Sequence, residues 1–452
     1  MSNLNLPSAF ISQLENLLGN EAEELIASFC TDSPVSIRIN LFKNYFPPPG
    51  LKQVPWCRTG YYLPARPVFT LDPAFHAGGY YVQEASSMFL EQSIGKIIKE
   101  NKPVKALDIS AAPGGKSTHL LSLLPGESLV VCNEVIRSRA EILKENIIKW
   151  GLSNVIVTSS DPEKFSELKN YFDIILVDAP CSGEGLFRKD AEAVNEWSQE
   201  NIDLCELRQK RILKNVWPAL KAGGFLIYST CTFQKSENEE QLKRFADANN
   251  AHSVSIDIND DWNITETETP TENGNLIGYR FYPHKLKGEG FFISVLQKEK
   301  EDTSTENKKT KRKLKEIKNN SVNNYISNPE ELFFFEHNSV IFTFPRNLKE
   351  DLTFLSDKIN IIYAGVETGK IKGKDLIPAH ALALSTIVSK NIPYFELSSE
   401  DALKYLRKNE IKIDTNQKGW MIVKHNNLNL GWIKALGNRI NNYYPKEYRI
   451  RI

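Results

Sequence analysis

Between Val104 and Leu296 short apolar runs alternate with stretches of helical period, the pattern of parallel strands joined by amphipathic crossover helices. The runs are Val104–Ile109, Leu129–Cys132, Val155–Thr158, Phe172–Val177 and Gly224–Tyr228, followed by an aromatic stretch, Gly290–Leu296. Helical spacing covers Lys116–Leu124, Ser138–Lys149 and Asn201–Leu220. Strands that are apolar throughout need cover on both faces, so residues 101–297 are predicted to form an α/β domain around a Rossmann-like parallel sheet. Residues 1–100 begin helical and then become rich in Pro and aromatics, as in Phe46-Pro47-Pro48-Pro49-Gly50 and Tyr61-Tyr62-Leu63-Pro64. They predict a small α+β unit leaning on the sheet domain, expected to be its RNA-binding, substrate-side part. Residues 298–321 are almost wholly charged or polar, with Leu314 and Ile317 as their aliphatics, which predicts a solvated linker. Beyond it the pattern mixes helix and strand, predicting a first C-terminal domain at 322–395. A small β-rich module at 396–452 would contain the strand-like runs Trp420–Val423 and Asn429–Lys434.

The 452 residues are 41% hydrophobic and 25% charged, which fits a globular chain too long for one ordinary core. The start, MSNLNLPSAF, lacks a basic region followed by an apolar one, and no apolar run has membrane-spanning length. A cytoplasmic location and no membrane partner are the resulting expectations, with a monomer as the default. Lysine plus arginine balance aspartate plus glutamate at 56 each, a count against a nucleic-acid partner unless the cations cluster. The tail does cluster them, placing Arg439, Lys446, Arg449 and Arg451 against Glu447. The six cysteines include no C-x-x-C pair, so neither a zinc ribbon nor a redox dithiol is indicated and no metal is expected.

The first strand runs into Asp108-Ile109-Ser110-Ala111-Ala112-Pro113-Gly114-Gly115-Lys116, which opens a helix. In an open α/β sheet the carboxyl ends of the strands form the ligand crevice. The glycines admit close backbone approach there. Gly115-Lys116-Ser117 matches the end of a P-loop, but the required first glycine falls on Ser110. Glu134, Asp161 and Asp178 follow or end the next three strands. An acid after the second strand can accept ribose hydroxyls and one after the third the exocyclic amine of adenine, so the series favours S-adenosylmethionine as cofactor.

Two cysteines occupy matched positions at strand ends, in Asp178-Ala179-Pro180-Cys181-Ser182-Gly183 and Ser229-Thr230-Cys231-Thr232. If those strands are neighbours, both thiols stand at the crevice. A thiolate adding to carbon 6 of a cytosine makes carbon 5 enamine-like and able to take a methyl group. The base must be unpaired or flipped out to be reached.

This combination resembles the Sun-type (Nol/Nop/Sun) RNA cytosine-C5 methyltransferase family. Ala111-Ala112-Pro113-Gly114-Gly115-Lys116, Tyr81-Val82-Gln83-Glu84-Ala85-Ser86-Ser87 and Phe281-Tyr282-Pro283-His284 with Gly288-Glu289-Gly290-Phe291-Phe292 agree with it. The resemblance covers roughly residues 35–296. It implies a class I methyltransferase sheet, Cys231 as nucleophile, Cys181 as the thiol assisting product release, and Asp178 close to the target base. It also implies a cofactor pocket from Ser110–Lys116, Glu134, Asp161 and Asp178. DNA cytosine methyltransferases attack through the Pro-Cys cysteine, which would be Cys181; the second cysteine after Ser-Thr favours the RNA family. Ser110 departs from the cysteine that the family often has there.

Pro378-Ala379-His380-Ala381-Leu382-Ala383-Leu384, Leu430-Gly431-Trp432-Ile433-Lys434 and Asn441-Asn442-Tyr443-Tyr444-Pro445-Lys446 resemble the branch of that family acting on 16S rRNA, in which a PUA-like β-barrel closes the chain. That resemblance implies small-subunit rRNA or the 30S particle as partner, with Lys434, Arg439 and Lys446 toward RNA backbone and Tyr443 and Tyr444 available for stacking. A tRNA methyltransferase, or an idle RNA-binding assembly factor, are the competing expectations. His380 is expected to be structural.

Overall fold

The computed structural model describes residues 5–300, 314–317, 320–411, 417–437 and 439–451. Most of the segment expected to be a linker lies outside the described residues. Its two aliphatics are described, and both Leu314 and Ile317 pack against core clusters.

A ten-stranded mixed sheet forms the centre. Its five middle strands run parallel, in the order Leu220–Thr230, Phe172–Asp178, Lys105–Asp108, Leu129–Asn133 and Val155–Thr158. Alternate residues feed opposite cores, as period-two strands require. Ala106, Val130, Val157, Ile174 and Leu176 join one cluster, while Leu107, Val131, Ile156, Ile175 and Val177 join the other. Both faces are thus apolar, which is why the strands read as continuous hydrophobic runs. Helices Gly115–Leu123, Arg137–Trp150 and Gln199–Val216 make crossovers. The chain steps outward from Lys105–Asp108 in one direction and resumes beside it on the other with Phe172–Asp178. The switch point therefore lies between those two strands, where a crevice opens at their carboxyl ends.

Antiparallel additions close both flanks. Phe291–Gln297 pairs with Leu220–Thr230, and the hairpin Thr265–Thr271/Gly274–Phe281 extends that side. On the other flank Ile361–Ala364 pairs with Val155–Thr158. Part of the segment 322–395 thus joins the central sheet. Asp351 strengthens the tie, accepting from Lys105 Nζ at 2.5 Å and Tyr171 Oη at 2.7 Å.

The N-terminal unit has helices Ser8–Leu18 and Ala22–Ser28, then a three-stranded sheet with Val35–Ile39 between Gly60–Leu63 and Tyr80–Val82. Beyond the linker, Leu332–His337, Val340–Pro345, Val366–Lys372 and Asp375–Pro378 form one four-stranded sheet. Tyr394–Glu396, Lys418–His425, Leu428–Leu436 and Ile440–Asn442 form another. Within this last module Tyr444 is 2% exposed and packs on Tyr405 and His380, so it fills core and is withdrawn from stacking. Tyr443 is 38% exposed beside Trp420 and remains accessible. His380 is partly buried, its ring packed against Tyr444 and Tyr448, and desolvation pushes its pKa down to about 3.

Covering Val155–Thr158 with Ile361–Ala364 removes a bare parallel edge, a template for aggregation. Ending the chain at Lys300 should therefore lower the melting temperature and cause concentration-dependent aggregation. Equal thermal stability of the shortened and full chains would refute this.

Candidate active site

Asn133, at the end of its strand, ties the crevice loops together. Its amide donates to Ile109 O at 3.2 Å and Ser160 O at 3.0 Å, and accepts from Thr158 Oγ1 and the Ser160 amide. The Gly-rich turn hangs from this knot, with Ala111 N bonded to Asn133 O and Asn146 holding Pro113 O. Gly114 caps the next helix at φ +116°, a conformation that favours glycine.

A cavity of about 350 Å³ opens against this turn. Of the residues expected to bind cofactor, Ser110, Ala111, Ala112, Pro113, Gly115, Lys116 and Asp178 line it. Gly114, Glu134 and Asp161 do not. Glu134 sits at the next strand end, its buried carboxylate accepting the Ile136 amide at 2.9 Å, with Arg139 Nη1 at 3.5 Å. Asp161 is turned toward solvent, where it caps the turn Pro162–Glu167 and binds Arg211 Nη2 at 2.7 and 2.8 Å. Hydrogen bonding from Arg211, then from the Glu163 amide, holds its pKa below the ordinary carboxylate value.

Asp108 is a lining residue whose role the sequence left unread. It is wholly buried; Oδ2 accepts from Ser117 Oγ at 2.6 Å, and Oδ1 has no partner among the described residues. Burial, only partly offset by Ser117, pushes its pKa up to about 7. Tyr81, Gln83, Glu84 and Ser87 line the cavity too, as do Glu289 and Phe291. These positions fall in the quoted Tyr81–Ser87 and Gly288–Phe292 segments, where single-sequence reading offers no strand-end position to betray them.

The two cysteine loops meet at the same mouth. Parallel pairing sets Asp178 beside Ser229, and Ser229 Oγ donates to Asp178 Oδ1 at 2.8 Å. Asp178 Oδ2 binds Lys116 Nζ at 2.8 Å. Burial disfavours the Lys116 charge, but Asp178, then Cys231 and Asp108, outweigh it and hold the pKa above the ordinary lysine value. Cys231 lines the cavity, and Cys181 Sγ lies 3.2 Å from Cys231 Sγ with both thiols free. The hydrogen bond that the Cys181 thiol makes to Cys231, followed by burial, pushes it well above its usual range.

Behind the thiols, the residues that follow them are bolted together. Ser182 Oγ and Thr232 Oγ1 are hydrogen-bonded at 2.7 Å. Glu237 closes one end, accepting from Ser182 Oγ at 2.5 Å and Gln209 Nε2 at 2.8 Å. Glu184 closes the other, accepting from Thr232 Oγ1 at 3.1 Å, the Phe233 amide at 3.0 Å and Trp197 Nε1 at 2.8 Å. Burial pushes Glu237 up to about 7 and raises Glu184 as well. Gly185 and Gly290 press back to back, and a Cβ on Gly185 would collide with the Gly290 carbonyl.

Comparison with known proteins decides among the readings of such a crevice. Residues 6–85 match the N-terminal domain of 16S rRNA methyltransferase RsmF, 97–297 the 16S rRNA methyltransferase RsmB/F family, and 393–450 the methyltransferase RsmF PUA domain. Ribosomal RNA small subunit methyltransferase F of Aeromonas salmonicida is 32% identical, the alignment covering 98% of this chain and 97% of that protein. Its Aliivibrio fischeri counterpart is 30% identical over 98% of each. The chain belongs to the ribosomal RNA small subunit methyltransferase F family. A solved methyltransferase homolog from Pyrococcus horikoshii matches with a TM-score of 0.55 and 27% identity, over 65% of this chain and 96% of that one. The methyltransferase F family thus accounts for the Rossmann-like sheet, the N-terminal unit and the C-terminal PUA domain. Among the described residues no helix is long and apolar enough to cross a membrane.

Thr232→Val removes the hydroxyl linking the cysteine loops, leaving the buried Glu184 carboxylate short of a donor and the Gln234 amide short of an acceptor. Denaturant titration should show a loss of about 1–3 kcal/mol. Thr232→Ser, which keeps the hydroxyl, should stay near the parent. Equal stability of both variants would show that the hydroxyl bolt holds nothing.

Proposed function

We propose that this chain methylates carbon 5 of a cytosine in RNA, small-subunit rRNA foremost, with S-adenosylmethionine as methyl donor. One observation carries the reading: two free thiols from separate strand ends approach to 3.2 Å at the wall of a cavity built on a Gly-rich turn.

The cavity residues fit the donor. A buried carboxylate oxygen on Asp108 without a partner suits the ammonium of a bound amino acid, and the turn Ser110–Lys116 offers backbone to the same end. Glu134 is the proposed acceptor for ribose hydroxyls. Asp161 is the proposed acceptor for the adenine amine, a role that requires Arg211 to release one of its oxygens. The donor supplies an electrophilic sulfonium methyl group when bound.

Cys231, as thiolate, adds to carbon 6 of the flipped base; the ring electron pair moves to carbon 5, which takes the methyl group. Loss of the carbon 5 proton to water then returns the electron pair, and the carbon 6–sulfur bond breaks with Cys231 leaving as thiolate. Lys116 contributes positive charge near Cys231. Cys181 is held as a thiol by its bond with Cys231 and by burial, which suits assistance of release rather than attack. Asp178, fixed by Ser229 and Lys116, faces the same cavity and is the proposed contact to the base.

With RNA and cofactor, Cys181→Ala should accumulate a protein–RNA adduct stable on denaturing gels, whereas Cys231→Ala should form none and lose activity. The reverse pattern would transfer attack to Cys181. Comparison of 30S particles with deproteinised tRNA as methyl acceptors tests the substrate. Preferential methylation of tRNA would overturn the rRNA assignment.

Asp108 gives a pH test. Its raised pKa means that, below about 7, a proton must leave before the carboxylate can hold an ammonium. Affinity for S-adenosylhomocysteine should therefore rise with pH through neutrality. Asp108→Asn should bind more weakly and lose that component of the pH dependence. An unchanged profile in calorimetric titration would remove Asp108 from the site.

A further inference from the structure

A second, larger cleft of about 980 Å³ adjoins the cavity. Its walls come from the N-terminal unit, at 32–35 and 63–66, and from the catalytic domain, at 188–189 and 283–287. Five cations line it (Arg66, Arg188, Lys189, Lys285 and Lys287), opposed by Asp32 as the single lining acid. This is a sharp local departure for a chain whose total charge is zero.

The five differ in what they are free to do. Arg188 is buried and committed, its Nε on Glu289 at 3.0 Å and its Nη2 on Gly288 O at 2.6 Å. Lys285 pairs with Glu21 at 2.6 Å. Arg66, Lys189 and Lys287 are exposed and have no carboxylate partner among the described residues; Arg66 and Lys287 rest on the rings of Phe69 and Tyr62. Free cations in a concave site hold anions, and among the described residues no aromatic ring but that of His284 lines this one. A cleft that offers charge without stacking surfaces suits a phosphodiester backbone rather than bases.

Cleft and cavity share a wall. Glu289 lines the cavity, while its carboxylate is held by Ser33 and Arg188, both lining the cleft. Leu186 lies on the cavity side and Lys189 on the cleft side of one short segment. We infer that this cleft is the track for the RNA backbone flanking the target cytosine, with Arg66, Lys189 and Lys287 as its phosphate contacts. The inference rests on the RNA reading above and moves backbone binding to a surface other than the C-terminal Lys434, Arg439 and Lys446.

The test uses the full chain and a fluorescent oligocytidylate, titrated at several salt concentrations. Each phosphate contact on single-stranded RNA contributes roughly 0.7 to the slope of log affinity against log salt. Arg66→Ala/Lys189→Ala/Lys287→Ala should flatten that slope by about 2 and weaken binding at least about tenfold at moderate salt. The variant should bind S-adenosylhomocysteine as the parent does. For methyl transfer, KM for RNA should rise while kcat holds. Unchanged slope and affinity would overturn the track, as would equal competition by polyglutamate, which would point to an acidic protein segment as occupant. If the parent binds RNA through these residues but transfers no methyl group, the catalytic reading fails and the track stands.

Discussion

Two thiols fifty residues apart can meet at one cavity wall only if their loops are held in a common register. The parallel pairing of Val177 with Tyr228 and of Asp178 with Ser229 sets that register. Strand pairing alone stops short of the cysteines, however, because Cys181 and Cys231 lie beyond the last paired residues. The hydroxyls of Ser182 and Thr232 carry the alignment outward, with Glu237 and Glu184 as buried anchors. Burying two carboxylates is costly unless each is fully hydrogen-bonded. Here both accept several donors, so the network specifies a geometry that an apolar core would leave loose.

The same economy governs the wall opposite. Gly185 and Gly290 touch backbone to backbone, which draws the strand Phe291–Gln297 and its preceding loop against the first cysteine loop. Glu289 is thereby placed between cavity and cleft, and Glu84 accepts its backbone amide at 2.9 Å. The N-terminal unit is thus part of the cavity's construction: Tyr81, Gln83 and Glu84 form one side of it, and Ser33 helps set the orientation of Glu289.

What could be read from the sequence divides along physical lines. The five central strands were legible because burial on both faces demands unbroken apolar runs. The hairpin strand Thr265–Thr271, TETETPT, was not: it lies at a sheet edge with no fully buried position, so its sequence carries no hydrophobic signal. Ile361–Ala364 was missed for a different reason, since four residues at the sheet margin look like any short apolar run, and only tertiary pairing gives them a place. At the site, Asp178, Cys181 and Cys231 were visible because a strand end is a position that a periodic pattern can locate. Asp108 was passed over although it stands in the quoted motif, since only burial shows an oxygen left without a donor. Asp161 showed the converse weakness: its strand-end position was legible, but its engagement by Arg211 on a distant helix was not.

Net charge illustrates the limit of composition most clearly. A sum of zero speaks against nucleic-acid affinity only if cations and acids are mixed everywhere. In this fold many cations are spent on structure: Lys105 on Asp351, Arg280 on Glu239, Arg188 on Glu289. Many acids are likewise bound internally, so the field at any surface depends on which charges remain unpaired there. Around the cleft the unpaired ones are almost all positive. Because desolvated pairs are screened little by salt while exposed cations are screened strongly, salt should weaken the cleft's hold on a polyanion long before it disturbs the buried pairs that shape it.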